Sequence, residues 1–268
     1  MRMIDFNALG ADYDRSLAAM QPAATGVLVH LPHLPAGATV VDIACGTGEP
    51  GLTLARQRPD LQVIGIDVAA QLIGLAEDKA RQGAVTNIRF QVSAAEALRL
   101  PTGSVDAVIS RFGLLFAVPE TLASLREACR ILRPGGAFSL AVWGLFQDNK
   151  LNYAAFLALS SVLPADQIPQ LGRLDGLAAP GLRESQLRDA GFSTVSMQVQ
   201  TWTHNLTDSE AIWNSVSGPG LYTAAFAALS ENGQAQVRRQ MSILLAEFRQ
   251  PDGSYVIPCR CELYWGHR

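Results

Sequence analysis

Apolar and polar positions follow two alternating rhythms along the first half of the chain. Thr39–Ile43, Gln62–Asp67, Ile88–Val92, Val105–Ser110 and Ala137–Trp143 are short, β-branched and largely apolar, as expected of strands buried on both faces. Between them the period lengthens. Pro50–Arg56 reads as a helix with proline in its first turn, where a missing N–H does no harm. Ala69–Gln82 carries Leu72, Leu75, Ala76 and Ala80 at helical spacing and stops at Gly83. Leu122, Leu125, Cys129 and Leu132 mark a further helix, closed by Arg133-Pro134-Gly135-Gly136. Strand–helix alternation of this kind predicts an α/β fold, a parallel sheet with helices on both faces.

Past Trp143 the rhythm breaks. Residues 145–180 hold one apolar helical stretch, Tyr153–Leu163, followed by Pro- and Gly-rich linkage. Glu184–Ala190 is a helix stopped by Gly191, and Thr194–His204 alternates as a sixth strand. Residues 207–250 read as helical, with Val237, Met241, Leu244 and Phe248 on one face. That face suits core, a homodimer contact or the roof of a pocket. Ser254–Trp265 closes the pattern as a strand, and no repeat or low-complexity segment interrupts it.

Composition narrows the partners. With 49% hydrophobic and 17% charged residues among 268, the chain can bury a sizeable core and is not disordered. Lys+Arg number 21 against 24 Asp+Glu, with no basic block, so no nucleic-acid partner is expected. No apolar run reaches the ~18–20 residues of a membrane span. Met1–Asn7 has an acid at position 5 and no apolar core after it, unlike a signal peptide. Cys45, Cys129, Cys259 and Cys261 show no framework spacing, which reads as reduced thiols in a cytoplasmic protein.

The chemistry concentrates at Asp42-Ile43-Ala44-Cys45-Gly46-Thr47-Gly48-Glu49-Pro50-Gly51. Gly46, Gly48 and Gly51 satisfy G-x-G-x-x-G, and Asp67 ends the next strand. A glycine loop between strand and helix lets a ligand approach the backbone, and a neighbouring carboxylate can hold a ribose diol. Asp42 lies near the end of an apolar strand, where a carboxylate is costly without a partner. It would repel a pyrophosphate and suits a cationic amino group or sulfur; it can also cap the loop through backbone N–H groups.

These residues resemble the cofactor motifs of class I S-adenosylmethionine-dependent methyltransferases, in the branch of ubiquinone/menaquinone biosynthesis. Gly65-Ile66-Asp67, Ala94–Leu98, Ser104–Phe112 and Leu132–Gly136 extend the likeness over residues 38–143. The resemblance implies a Rossmann-like, doubly wound sheet of seven mostly parallel strands with the last antiparallel, plus helical lid insertions. It implies one methyltransferase domain over 1–268, with 145–180 and 207–250 on the acceptor side. It also implies roles. Gly46, Thr47 and Gly48 would pass beneath the methionine moiety, with Asp42 near its amino group. Asp67 would grip the ribose, and Val68 and Leu72, core candidates in any case, would pack on the adenine. Ala95 would meet the adenine edge through its backbone. Many relatives carry an Asp where this chain has Ala94, a contact that Glu96 replaces in part or nothing does; Glu96 can equally open a helix. Ser110 and Arg111 would border the methionine end, Arg111 being otherwise a surface charge. Tyr13-Asp14 would belong to an N-terminal helix over the cofactor.

The expected activity is methyl transfer to a small, apolar or aromatic acceptor in secondary metabolism, by attack through O, N or C. The aromatic residues Phe146, Tyr153, Phe156, Trp202, Trp213 and Tyr222 stand in the segments expected to form that pocket. A hydroxyl or carbon acceptor benefits from a general base, and among four histidines only His204 falls near the carboxyl end of a strand parallel to the first. His30 and His33 precede the first strand without a neighbouring carboxylate or cysteine, so no metal is expected. Two alternatives share the same residues: an NAD(P)-dependent oxidoreductase, and a non-catalytic S-adenosylmethionine-binding regulatory or assembly protein.

Overall fold

A computed structural model describes residues 21–114, 121–168, 179–218 and 221–268. Seven strands, β1 (Thr39–Ile43), β2 (Gln62–Asp67), β3 (Ile88–Val92), β4 (Val105–Arg111), β5 (Leu132–Trp143), β6 (Thr194–Leu206) and β7 (Tyr255–His267), form one sheet in the order β3-β2-β1-β4-β5-β7-β6. β1 to β5 pair in parallel, and β7 runs antiparallel between β5 and β6. β6 is therefore parallel to β1. The strand order reverses at β1, and ligands of such sheets bind outside the carboxyl ends of the strands at that switch point.

Both faces are covered. Helices α1 (Gln21–Val29) and α2 (Gly51–Gln57) pack with Val40, Val63, Ala107 and Ala141 on one face. α3 (Ala70–Gln82) lies against β2 and β3. On the opposite face, α4 (Thr121–Ile131) and α6 (Leu182–Asp189) bury Val41, Ile64, Val108 and Phe138. Pro50 stands at the N-cap of α2 rather than inside its first turn. α1 was not expected from periodicity. Its small residues lie flat on the sheet, and a Cβ on Gly26 would stand 2.7 Å from Leu263 Cδ1. The Ser139 hydroxyl donates to the Val27 carbonyl at 2.7 Å, fixing α1 to β5. Tyr13-Asp14 lie outside the described residues.

The last two strands outrun the rest. Trp143, the end of β5, pairs with Cys261, so six residues of β7 continue past it beside β6. Asn149 covers the edge this leaves open, its Oδ1 accepting the Arg260 N–H at 3.1 Å and the Cys259 thiol at 3.0 Å. On the extension sits a second core built by α5 (Lys150–Ser160), α7 (Ser209–Ser217), α8 (Thr223–Ala227) and α9 (Glu231–Leu244). Val237 and Met241 are buried in it, with Leu244 and Phe248 packed against it, so the apolar face of the insertion is spent within the chain. A homodimer would have to use another surface. All four cysteines are buried free thiols, and no described helix is long and apolar enough to cross a membrane.

Candidate active site

β1 ends at Ile43, and the chain turns through Ala44–Pro50 into α2. The turn uses left-handed backbone at Ala44 (φ 56°), Gly46 (φ 53°) and Gly48 (φ 100°). The two glycines serve different ends. A Cβ on Gly48 would stand 2.6 Å from Leu52 Cδ1 and 3.2 Å from Ala76 Cβ, so glycine there lets the helices close on the loop. A Cβ on Gly46 would meet nothing within 4 Å. Gly46 presents bare backbone to open space, and Thr47 beside it is buried.

Asp42 stands behind this loop, fully buried. Its Oδ2 accepts the Gly51 N–H at 2.8 Å, so the capping reading accounts for one oxygen. Oδ1 has no partner among the described residues. Burial pushes the carboxyl up to about 7, against the pull of the Gly51 N–H and the Arg111 charge. Arg111 is itself buried rather than a surface charge.

Asp67 completes the floor. Its Oδ2 accepts the Gly46 N–H at 2.8 Å and its Oδ1 the Ala69 N–H at 2.9 Å. Burial raises its pKa while these N–H groups hold it back. A carboxylate has about four lone-pair sites, so acceptor capacity remains at each oxygen. Val68 corrects the expectation that it is core: β2 stops one residue earlier and leaves Val68 65% exposed, whereas Leu72 is buried. Beside them the Ser93 N–H bonds the Asp67 carbonyl at 2.9 Å, bringing the turn after β3 alongside. Ala95 is buried there; Ala94 and Glu96 are half-buried. Glu96 opens no helix. Ala94–Leu98 is a turn, closed by Ala97 N–H to Ala94 O at 3.2 Å and by the Ser93 hydroxyl on Ala97 O at 3.0 Å.

Ser110, at the end of β4, donates its hydroxyl to Ile43 O at 2.7 Å and accepts the Leu114 N–H at 3.1 Å. It joins two loops of the site through backbone contacts. Phe112 next to it is left-handed (φ 58°), and a Cβ on Gly113 would lie 2.2 Å from Ala44 Cβ. The turns after β1 and β4 are thus pressed together.

Aromatic rings lead away from this point across the carboxyl ends of the strands. Phe112 stacks on Trp143 at 3.9 Å, Trp143 lies 6.2 Å from Trp202, and Trp202 lies 6.4 Å from His204. A half-open cleft opens at Trp143, walled by Phe146, Asn149, Asn152, Arg183 and Leu221. Of the expected aromatics Phe146 lines it, and Tyr153 and Phe156 pack edge-on behind Phe146. Tyr222 belongs to the second core, and Trp213 packs against it. His204 does not line the cleft. It faces Ile257 in β7, and burial holds its pKa below the usual value. His30 stacks on Trp265 at 3.7 Å, away from the site, and no group of metal-ligating side chains exists among the described residues.

Sequence reasoning missed the polar wall of the cleft. Arg183 is 2% exposed. Its Nη1 donates to Glu262 Oε2 at 2.6 Å and its Nη2 to the Trp143 carbonyl at 2.5 Å. Glu262 also accepts the Tyr264 hydroxyl at 2.8 Å and lies 3.8 Å from Arg260, which pairs with Asp148 at 2.8 Å.

Residues 40–136 match the family described as a methyltransferase domain. The chain is 31% identical to a demethylmenaquinone methyltransferase of Lactococcus lactis, over 49% of this chain and 54% of that protein. It is 32% identical to the 27-O-demethylrifamycin SV methyltransferase of Amycolatopsis mediterranei, over 48% of each. The chain thus spans about half the length of the curated relatives it matches. Over residues 40–136 the chain is similar to the class I S-adenosylmethionine-dependent methyltransferases. A third match is a ubiquinone/menaquinone biosynthesis C-methyltransferase of Geobacter sulfurreducens, 33% identical over 37% of this chain and 40% of that protein. The same fold appears in the YcgJ protein of Bacillus subtilis, at TM-score 0.58 and 17% identity over 93% of this chain and 98% of that one. The cofactor of the family is S-adenosylmethionine, which carries an ammonium, a ribose diol and an adenine. An unpartnered buried oxygen on Asp42, bare backbone at Gly46, spare lone pairs on Asp67 and an exposed apolar Val68 fit those groups.

Proposed function

We propose that this methyltransferase-family chain, folding as one domain over 1–268, transfers the methyl group of S-adenosylmethionine to a small, apolar or aromatic metabolite in the cytoplasm, in secondary metabolism. The observations that carry the reading are Asp42, buried with one oxygen unpartnered, and the open backbone of Gly46 in the loop that follows it. Relatives named for demethylmenaquinone and for 27-O-demethylrifamycin support a small-molecule acceptor.

On this reading Asp42 takes the ammonium, directly or through the loop, and Gly46, Thr47 and Gly48 run beneath the methionine. Asp67 holds the ribose hydroxyls, Val68 and Leu72 bracket the adenine, and Ala94, Ala95 and Glu96 border its edge. Ser110 and Arg111 close the methionine end. When bound, S-adenosylmethionine supplies an electrophilic methyl group and a leaving sulfur that becomes neutral. The chain supplies alignment and exclusion of water. The β4 turn and Trp143 stand between the cofactor loop and the cleft, and residues 145–180 and 207–250 close the acceptor side. Where the acceptor is a hydroxyl or carbon acid, His204 is the general base, since burial keeps its ring neutral and able to take a proton at pH 7.

Calorimetry with S-adenosylmethionine tests the assignment. Asp67→Ala removes a charge-assisted contact of about 1.5–3 kcal/mol, so affinity is expected to fall tenfold or more. Unchanged affinity in the folded variant would take the ribose role from Asp67, and tight NADH binding by the native protein would overturn the reading as a whole.

A further inference from the structure

Three of the five residues in the turn Ala94–Leu98 are alanines. Their side chains offer a ligand no hydrogen bond, so apart from Glu96 the turn can read a polar edge only through its backbone. The Ala97 N–H is engaged within the turn and the Leu98 N–H by Glu127. The N–H groups of Ala95 and Glu96, at its tip, have no partner among the described residues. Such donors discriminate between ligands only where the turn that carries them is fixed before the ligand arrives.

The start of the turn is tied to β2, where the Ser93 N–H bonds the Asp67 carbonyl at 2.9 Å. Its end is gripped from α4. Glu127 Oε2 accepts the Leu98 N–H at 3.0 Å, and Arg130 Nη2 donates to the Leu98 carbonyl at 3.0 Å. Leu98 is thus held by both of its backbone groups. Through Nη1 the same arginine reaches the Leu100 carbonyl at 2.9 Å and the Thr102 hydroxyl at 3.2 Å. It also forks onto the Glu127 carboxylate, at 2.6 and 2.8 Å, a contact that fixes orientation as well as distance. Exposed ion pairs along a helix contribute little to stability. Here the two side chains are 32% and 21% exposed, and their further hydrogen bonds all go to the loop between β3 and β4. The geometry is that of a clamp on the loop.

We infer that Glu127 and Arg130 are positioning residues for the purine of the cofactor: by clamping Leu98 they fix the free N–H groups at the tip of the turn, and so make the site selective for adenine. The role deepens the methyltransferase reading and rests on its placing of Ala94–Glu96 beside the adenine edge. Selectivity follows from the chemistry of the base. Adenine N1 is a bare acceptor, whereas in hypoxanthine N1 carries a hydrogen and the neighbouring amino group is replaced by a carbonyl. A fixed N–H that meets another N–H is left without a partner, which is costly. A turn released at Leu98 can shift aside, losing the bond to adenine and the penalty against hypoxanthine together.

S-adenosylhomocysteine and S-inosylhomocysteine differ in that one replacement on the base and serve as the probes. Calorimetry on the native full chain is expected to show the adenosyl ligand bound about tenfold more tightly or better. Arg130→Ala releases Leu98, Leu100 and Thr102. It should shrink the preference to about threefold or less, chiefly by weakening the adenosyl ligand. Arg130→Lys keeps a charge beside Glu127 but cannot span the same acceptors; its preference should fall between, and it carries the test if Arg130→Ala does not fold. A merely structural loss would weaken both ligands alike and leave their ratio at the native value, and that result overturns the proposal. So does a native protein that binds the two equally. The methyltransferase reading survives either result, because S-adenosylhomocysteine still binds. If the native protein binds neither ligand, that reading falls and the positioning role falls with it.

Discussion

Replacing Asp42 by asparagine should make the protein more stable at pH 8 and a poorer binder of S-adenosylmethionine. In the folded chain Asp42 titrates at about 7, against 3.8 for the free side chain. Between those values the folded state keeps a proton that the unfolded state has released. Stability therefore falls as pH rises from about 4 to 7 and levels off above it. Three units of displacement correspond to on the order of 4 kcal/mol. Asparagine cannot ionise, yet its oxygen can still accept the Gly51 N–H. The variant should gain about 2–4 kcal/mol at pH 8, or ~2–4 °C in Tm for each kcal/mol, and the gain should vanish near pH 4. The loss of a charged partner for the ammonium should cost about ten- to a hundredfold in affinity. Thermal unfolding across pH together with calorimetry checks both halves. A variant no more stable than native at pH 8 would mean that Arg111 already compensates an ionised Asp42. Full affinity would reduce Asp42 to a fastener of the loop.

The second large effect is expected at His204. Loss of a general base typically lowers turnover 10²–10⁴-fold, so His204→Ala should fall in that range with a hydroxyl or carbon acceptor, while S-adenosylmethionine affinity stays within twofold or so of native. The ring lies beyond Trp202 and outside the cleft, so an acceptor served by it must reach past Trp202. Turnover within a few-fold of native across pH would leave alignment alone as the source of rate and return His204 to a strand-end role.

The cofactor half was legible because its information is local. β1 to β5 are apolar runs, and the loop after β1 announces itself by glycines that only a turn of left-handed residues requires. The errors arose where a neighbour along the chain was a poor guide to a neighbour in space. Val68 continues the apolar run of β2 but lies past its last paired residue. α1 has little amphipathic period because Gly26 and its small neighbours are selected by contact with β6 and β7. Arg183 stands just before the helix expected at Glu184–Ala190, and Glu262 within the closing strand expected at Ser254–Trp265. They meet across 79 residues, under segments that the sheet's own pattern does not predict. A carboxylate flanked by Cys261 and Leu263, both buried, was the one available hint.

The placement of β7 between β5 and β6 has a consequence for the order in which the protein can be made. β7 follows both of its partners in the chain, so a ribosome must deliver β5, β6 and the helices of the second core before the strand that joins them exists. Until then β5 and β6 each present an open edge, the kind of edge that pairs with other chains, and Tyr255 and Ile257 are missing from the second core. The glycine-loop half has all its strands far earlier. A chain caught in mid-synthesis holds a foldable glycine-loop half beside an unfinished second core. Joining the two requires contacts between distant parts of the chain, which form slowly. Exposure to aggregation is thus concentrated in the interval before residues 255–267 are in place.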